Sequence, residues 1–383
     1  MELRIQVRSW RDWEYVVDHW RDLVDRCPSA SFFVSPDWVS TWLEIFGTSL
    51  EPKLVHFFDD ESTLVGACLL VERSVRKGPF KVRRVYLNTA GEDDDDSPCV
   101  EHNMLFCEPG FERSMAAALR RCLSNHRMVA PWDELCVPGV LDGESLGALA
   151  ESFDDLVLED ECRVNRYVSL DHLRMSGSGY LESLEIPERM HARMNIRMYS
   201  ELGPLELVEA ASTDEALRFL EGLAVLHRKR RHSAFGAEKF YKFHQRLVRR
   251  CFQRGNIQLV QLRAGNAIVG FHYYLRYRGR TSFYQYGYDD ALRPENNPGL
   301  TMHAVAAQDA LDGGLREYDF MAGDVEYQRG LAALSREMHW LSFRMPTLKM
   351  KTLDGARQAK RRISRPGEWA RGAYRTIRRP KAA

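Results

Sequence analysis

The sequence predicts a mixed α/β protein, with helices and mixed sheets arranged in two tandem domains ahead of a basic tail. Three observations predict it. At 383 residues the chain is longer than one hydrophobic core usually organises. Two stretches are alike, "LVHFFDDESTLVGACLLVER" at 54–73 and "LVQLRAGNAIVGFHYYLRYR" at 259–278. Each reads as strand, polar turn, Val-Gly, strand. One residue of gap aligns Leu54-Val55 with Leu259-Val260 and Val65-Gly66 with Val269-Gly270, at an offset near half the chain, the mark of a duplicated unit. Last, helices, an antiparallel meander, a helix and a further strand follow one another, which is the order of a mixed α/β domain.

The first domain is expected over residues 1–175. It opens with aromatic-rich helices, among them "SPDWVSTWLEIFG", where Ser35 can cap, Pro36 suits the first helical position and Gly47 is the expected stop. The 54–73 hairpin follows, then the strand "KVRRVYLN", the acidic loop "AGEDDDDSPCVEHN", a helix over 111–125 and the closing strand "ECRVNRYVSLD". The stretch "RMSGSGYLESLEIP" reads as a linker because of its glycine and serine. The second domain is expected over 176–350. It begins with an arginine-rich helix ending at Gly203 and the strand "PLELVEA". "STDEALRFLEGLAVLHRKRRH" opens with a Ser-x-x-Glu capping pattern and spaces Ala216, Phe219, Leu220, Leu223 and Leu226 helically. A further helix covers 237–255. Strands are expected at 257–263, 268–276 and 281–288, a helix at 300–311, and strands at 316–322 and 339–343.

Hydrophobic residues make up 44%, enough to bury real cores. The net charge is zero but unevenly placed: residues 351–383 carry +9, so the body carries −9. The N-terminus shows no apolar signal-peptide core, and no run reaches the roughly 20 residues of a spanning helix. The expected location is cytoplasmic, with a peripheral place at the inner face of a membrane. The eight cysteines form no Cys-x-x-Cys pair and the histidines no HExxH. The cysteines are read as reduced packing residues, and no metal is expected.

Four constellations can carry chemistry. In "ALRPENNPGLTMHAVAAQ" a loop runs into a helix. Amides around Asn297, Gly299 and Leu300, helped by Arg293, can hold an anion, although every helix start offers such amides to water. In "YDFMAGDVEYQRG" a strand end delivers Asp319, Asp324 and Glu326. A carboxylate there can take a proton from an attacking amine, Tyr327 can donate a hydrogen bond and Arg329 can grip an anion. The bland alternative is an acidic surface turn. In "LHRKRRH" the basic cluster either touches substrate or offsets a helix dipole. Arg193 and Arg197 share a helix face, with the same two readings. In "TSFYQYGYDD" strict alternation puts Ser282, Tyr284, Tyr286 and Tyr288 on one face, as core or as a pocket wall. No GxSxG, Walker A or GxGxxG motif occurs, which removes support from hydrolase, NTPase and dinucleotide readings.

The run 226–330 resembles the bacterial CelD-like acetyltransferases, a branch of the GNAT superfamily related to the Fem-type aminoacyltransferases. The matching words are "LHRKRR", "LRAGNAIVGFHYYLRYRGRTSFYQYGYDD", "NPGLTMHAVAAQDALDGGLREYDF" and "GDVEYQRG". Upstream, "RMNIRMYSELGPLELVEA" and "FFVSPDWVSTWLEIFG" extend the likeness over most of 30–345. The resemblance implies tandem GNAT-like domains and acyl transfer from acetyl-CoA or another acyl-CoA to an amine of a small molecule or glycan precursor, without a metal. It puts Asp319, Asp324 and Tyr327 in catalytic places. It puts His227, Arg228 and Arg329 on family positions suited to substrate, beside which the residues themselves offer Asn297, Gly299, Leu300 and Arg293 for the donor and Tyr284, Tyr286 and Arg197 for the substrate. One departure stands out: "RPENNPGL" lacks the paired glycines usual before that helix. Two other readings follow, a Fem-like transferase using aminoacyl-tRNA and a non-catalytic scaffold of envelope polysaccharide assembly. After Pro366 the tail spaces Trp369, Ala370, Ala373, Tyr374 and Ile377 helically with arginines off the stripe, a basic amphipathic segment suited to an anionic membrane, to tRNA or simply to water.

Overall fold

The computed structural model describes residues 2–229, 233–323 and 329–363, with the side chains of 356–363 left aside. The chain forms two compact units, Met1–Cys162 together with the return from Glu337, and Arg163–Arg336. The first unit contains β1 (Arg4–Ser9), α1 (Trp13–Arg26), α2 (Pro36–Leu50), β2 (Lys53–Phe58), β3 (Leu64–Lys77), β4 (Phe80–Leu87), β5 (Phe106–Cys107), α3 (Glu112–Ser124), β6 (Glu134–Leu141), α4 (Glu144–Ser152) and the first half of β7 (Val157–Ser169). The second contains α5 (Leu170–Ser176), α6 (Tyr180–Ser183), α7 (Ile186–Ser200), β8 (Leu205–Glu209), α8 (Thr213–Arg228), α9 (Glu238–Cys251), β9 (Ile257–Ala264), β10 (Ala267–Tyr277), β11 (Arg280–Tyr288), α10 (Pro298–Asp312) and β12 (Glu317–Ala322). From Glu337 onward β13 (Leu334–Arg344) belongs to the first unit, followed by α11 (Leu348–Ile363).

Each unit builds the same sheet. In the first, β1, β2, β3 and β4 are antiparallel neighbours, β4 pairs parallel with β6, and β6 pairs antiparallel with β13. In the second, β8, β9, β10 and β11 are antiparallel neighbours, β11 pairs parallel with β12, and β12 pairs antiparallel with β7. The duplicated Val-Gly also has one physical reason in both. A Cβ on Gly66 would sit 3.1 Å from Met115 Sδ of α3, and a Cβ on Gly270 would sit 3.1 Å from Met302 Sδ of α10 and 2.7 Å from Gly287 O. Each glycine lets the crossover helix lie close on its strand.

The boundary expected near residue 175 lies at 162/163, and residues 337–350, expected in the second domain, group with the first because β13 pairs with β6. The stretch expected as a linker is folded. Tyr180 is fully buried and donates from its hydroxyl to Leu331 O at 2.8 Å. Helix α2 starts as expected, with Ser35 accepting from Trp38 N and Pro36 in the first turn, but runs past Gly47 to Leu50. Gly47 is there for space, since a Cβ would meet the Trp10 ring at 2.9 Å. Helix α8 carries the expected box: Ser212 Oγ accepts from Glu215 N at 3.2 Å and Glu215 Oε2 from Ala211 N at 2.9 Å. Among the described residues no helix is long and apolar enough to cross a membrane. The amphipathic segment expected after Pro366 lies outside the described residues.

Two buried carboxylates tie the sheets. In the first unit Glu134, at the start of β6, accepts from Arg84 Nε at 2.5 Å and Ser342 Oγ at 2.6 Å, with Lys77 Nζ at 3.4 Å. In the second, Asp319 of β12 is wholly buried. Its Oδ1 accepts from Asn165 Nδ2 at 2.7 Å and from its own chain at Met321 N at 2.8 Å, and its Oδ2 from Arg336 Nη2 at 2.7 Å. Arg336 also donates to Glu317 and Asn165 and lies over the Tyr167 ring at 4.5 Å. Burial opposes its charge, but Asp319 and Glu317 more than offset that and raise its pKa.

Burial alone would raise the Glu134 pKa, yet Arg84, Ser342 and Lys77 bring it down to about 2. A depressed carboxylate stabilises the fold above the unfolded-state value of about 4.5 and loses that contribution as pH falls toward 2. Urea unfolding between pH 5 and 2 should therefore show a steep acid loss in the native chain and a shallower one in Glu134→Gln. Replacing Arg336 by Met strands the Asp319 carboxylate and should lower the unfolding free energy by about 3–5 kcal/mol, read from the same titration at neutral pH.

Candidate active site

The ladder between β11 and β12 stops almost as soon as it starts. Arg280, Thr281 and Ser282 pair with Glu317, Tyr318 and Asp319, and no further register joins the two strands. Both carry an irregularity where they part. On β11, Tyr273 faces Gln285 while Tyr274 faces Phe283, so Tyr284 is an extra residue. On β12, Asp319 faces Tyr167 while Ala322 faces Asn165, so one residue of Phe320–Met321 is extra. Met321 takes a left-handed φ of 62°, which costs a non-glycine residue about 1–2 kcal/mol. The bond from its own N–H to Asp319 Oδ1 holds that turn. Past a ladder of three pairs each strand carries a bulge, and the space between β11 and β12 beyond it is the candidate donor slot.

The β11 bulge also re-aims the tyrosines. Strict alternation put Ser282, Tyr284, Tyr286 and Tyr288 on one face. The extra residue divides them. Tyr284 packs on His244 of α9, with ring centroids 5.2 Å apart, whereas Tyr286 and Tyr288 pair with His272 and Gly270 on the opposite face. There Tyr288 donates to or accepts from His272 Nε2 at 2.7 Å, and His272 Nδ1 meets Tyr274 at 2.6 Å. Tyr274 meets Tyr318 at 2.8 Å, and Tyr318 meets His303 Nδ1 at 2.8 Å. Burial, then the neighbouring His303, holds His272 well below the ordinary histidine range, and burial takes His303 to about 3. Both imidazoles are therefore neutral at physiological pH. They join β10, β11, α10 and β12 into one rigid polar layer behind the slot.

Several expected residues meet here. Tyr286 is half-buried, 4.6 Å from the Tyr288 ring and 6.3 Å from His227 of α8. His227 is buried, with Nδ1 2.7 Å from Ser233 Oγ. Gly299 lies under Tyr288, where a Cβ would come within 3.1 Å of the ring. Asn297 caps α10, accepting from Leu300 N at 3.0 Å, while its own N–H donates to Asn195 Oδ1 of α7 at 2.7 Å. The Leu300 amide expected to meet an anion thus already has an acceptor.

Other expected residues are placed elsewhere. Arg293 pairs with Glu201 at 3.3 Å and Glu295 at 3.4 Å. Arg228 donates to Phe235 O and lies over the Tyr241 ring at 5.1 Å. Arg197 and Arg329 are exposed. The expected catalytic Asp319 uses both its oxygens to hold β12, so its geometry is that of a strand anchor. Asp324 and Tyr327 lie outside the described residues. Sequence reasoning missed His272, His303, Tyr318, Asn195 and Arg336. The two histidines belong to no motif, and nothing local marks Arg336 as the partner of Asp319.

The equivalent place in the first unit is closed. There β4 and β6 also share three pairs, Arg84 to Tyr86 with Glu134 to Cys136. Beyond them Asn103, from the acidic loop, fills the opening. Its N–H donates to Gly139 O at 2.8 Å and its Nδ2 to Leu87 O at 3.3 Å, and it bridges to Val140. Gly139 admits this chain because a Cβ would lie 2.7 Å from Val100 O. No such bridge of described residues joins β11 to β12.

Residues 188–329 match the acetyltransferase (GNAT) domain family. No curated protein matches the chain significantly. Among solved structures the chain is similar to FemX, at 10% identity over 84% of this chain and 95% of that one, with a TM-score of 0.54. It is also similar to the C-terminal domain (DUF2156) of a putative lysylphosphatidylglycerol synthetase from Agrobacterium fabrum, at 10% identity, 95% and 99% coverage and a TM-score of 0.49. A tandem GNAT protein from the clavulanic acid biosynthesis pathway matches at 12% identity, 90% and 100% coverage and a TM-score of 0.46. Residues 188–329, within the second unit, thus match an acetyltransferase (GNAT) domain, which supports reading the chain as an acyltransferase.

Proposed function

We propose that the chain transfers an acyl group from acyl-CoA to the amine of a small molecule or of a glycan or envelope precursor, in the slot between β11 and β12. The single observation that carries this is the three-pair ladder with a bulge on each side. The pantetheine arm of CoA carries amides that pair with strand edges, and the thioester carbonyl then lies beside the Tyr284 bulge. A backbone N–H there polarises it. The amine nitrogen attacks the carbonyl carbon, the C–N bond forms, and the C–S bond breaks to release the CoA thiolate. The ammonium proton passes to a carboxylate and then to the departing sulfur. Asp324 is the proposed base that carries this proton, and Tyr327 donates a hydrogen bond to the thiolate. Tyr286 and His227 wall the acceptor side, and proximity supplies much of the rate. The basic tail is proposed to keep the chain near an anionic membrane surface.

The capped start of α10 favours a second reading. A pyrophosphate there would compete with Asn297 for the Leu300 amide and with Glu201 and Glu295 for Arg293. A donor held at another place, such as aminoacyl-tRNA, avoids that competition. Thermal unfolding against a panel of acyl-CoAs separates the two. A true donor at about 100 times its Kd should add about 2.7 kcal/mol of stability. No shift with any acyl-CoA, together with steeply salt-dependent tRNA binding, would select the second reading. In the first, Asp324→Asn should lower kcat by about 10²–10⁴-fold with an unchanged melting point; a matching loss of folding would remove Asp324 from the mechanism.

A further inference from the structure

One cluster in the first unit takes no part in the acyl-transfer site. Cys162, near the middle of β7, and Glu337 and His339 of β13 bring a thiol, a carboxylate oxygen and an imidazole nitrogen within 4.8 Å of one another. Alternation puts Asp160 and Cys162 on one face of β7 and Glu337 and His339 on one face of β13. His339 is only 7% exposed. Its Nδ1 lies 2.9 Å from Asp160 Oδ2, while its buried Nε2 has no hydrogen-bond partner and stands 3.8 Å from Glu337 Oε2. The Asp160 carboxylate fixes the proton on Nδ1, so the Nε2 lone pair is turned toward Glu337 and Cys162.

We propose that these residues form a divalent-metal site of the zinc class, with Cys162 Sγ, a Glu337 oxygen and His339 Nε2 as ligands and Asp160 as the positioning residue. A dry imidazole lone pair without a donor is costly in a folded chain, and a cation satisfies it. Thiolate, imidazole and carboxylate together suit zinc, whereas calcium and magnesium favour oxygen alone. Two ligands about 2.1 Å from a tetrahedral ion stand roughly 3.4 Å apart. The present 3.8 Å therefore needs a shift of only a few tenths of an ångström. Cys162 and Glu337 are exposed and can turn without disturbing the core. The fourth position is left to water. On binding, the ion takes the thiolate and the thiol proton leaves to solvent. The ion then pins the first half of β7 to β13.

Cobalt(II) titrated into the full-length protein tests this. The expected result is one bound equivalent, with a thiolate-to-cobalt charge-transfer band and visible bands of tetrahedral strength, both displaced by zinc. Cys162→Ser should abolish the charge-transfer band, and Cys99→Ser should keep it. Asp160→Asn should weaken zinc binding by about 10–100-fold, with far-UV circular dichroism unchanged. Failure to bind a stoichiometric ion, a charge-transfer band that survives Cys162→Ser, or zinc affinity unmoved by Asp160→Asn would each overturn the proposal. Cys162 is exposed, so its variant should fold and decides the matter even where a His339 variant does not.

Discussion

The second unit depends on what holds the Asp319 carboxylate. A buried charge is tolerable only when it is paired and hydrogen-bonded. Arg336, Asn165 and the Met321 amide meet both needs. The same three bonds impose a shape. Binding Met321 N bends the chain just past the last residue that pairs with β11, and binding Arg336 and Asn165 draws β12 toward β7. A strand gripped on one side and bent there cannot continue its ladder on the other. The slot is therefore a consequence of where Asp319 sits, and the protein opens its sheet by anchoring one strand. At the ladder itself, the hydrogen-bonded His272–Tyr274–Tyr318–His303 chain joins β10 and α10 to β12.

The two units show what happens to the same topology with and without an opening. Both sheets place a parallel pair of three residues after a meander and a crossover helix. In the first unit the acidic loop lays Asn103 across the gap and bonds to both strands. The duplicated fold thus has its parallel pair bridged by Asn103 in one half, and bulged on both strands in the other. Residues 188–329, the part matching the GNAT family, belong to the half whose strands are bulged.

Much of this was legible. The Val-Gly repeat located both meanders because a strand glycine beneath a helix methionine is a local steric need, visible wherever it recurs. Helix starts followed from Ser35 and Ser212, whose caps act within four residues. What was not legible is long-range or counts by one. A period-two reading of "TSFYQYGYDD" holds only for an unbroken strand, and the extra Tyr284 reverses the faces after it. The return of β13 to the first unit is set by pairing with β6, some two hundred residues upstream, which leaves no mark in composition. Asp319 looked reactive because an aspartate at a strand end is exposed in the absence of a partner, and its partner Arg336 carries no motif.

Backbone hydrogen exchange, measured by mass spectrometry with and without a saturating acyl-CoA, tests the central claim most directly. If the parted strands hold the donor, amides of 283–288 and 320–323 gain protection together, with those at the start of α10 following and the matching segments of the first unit, 86–88 and 136–140, unchanged. Bound acyl-CoA that leaves 283–288 and 320–323 exchanging at their free rates would contradict the account.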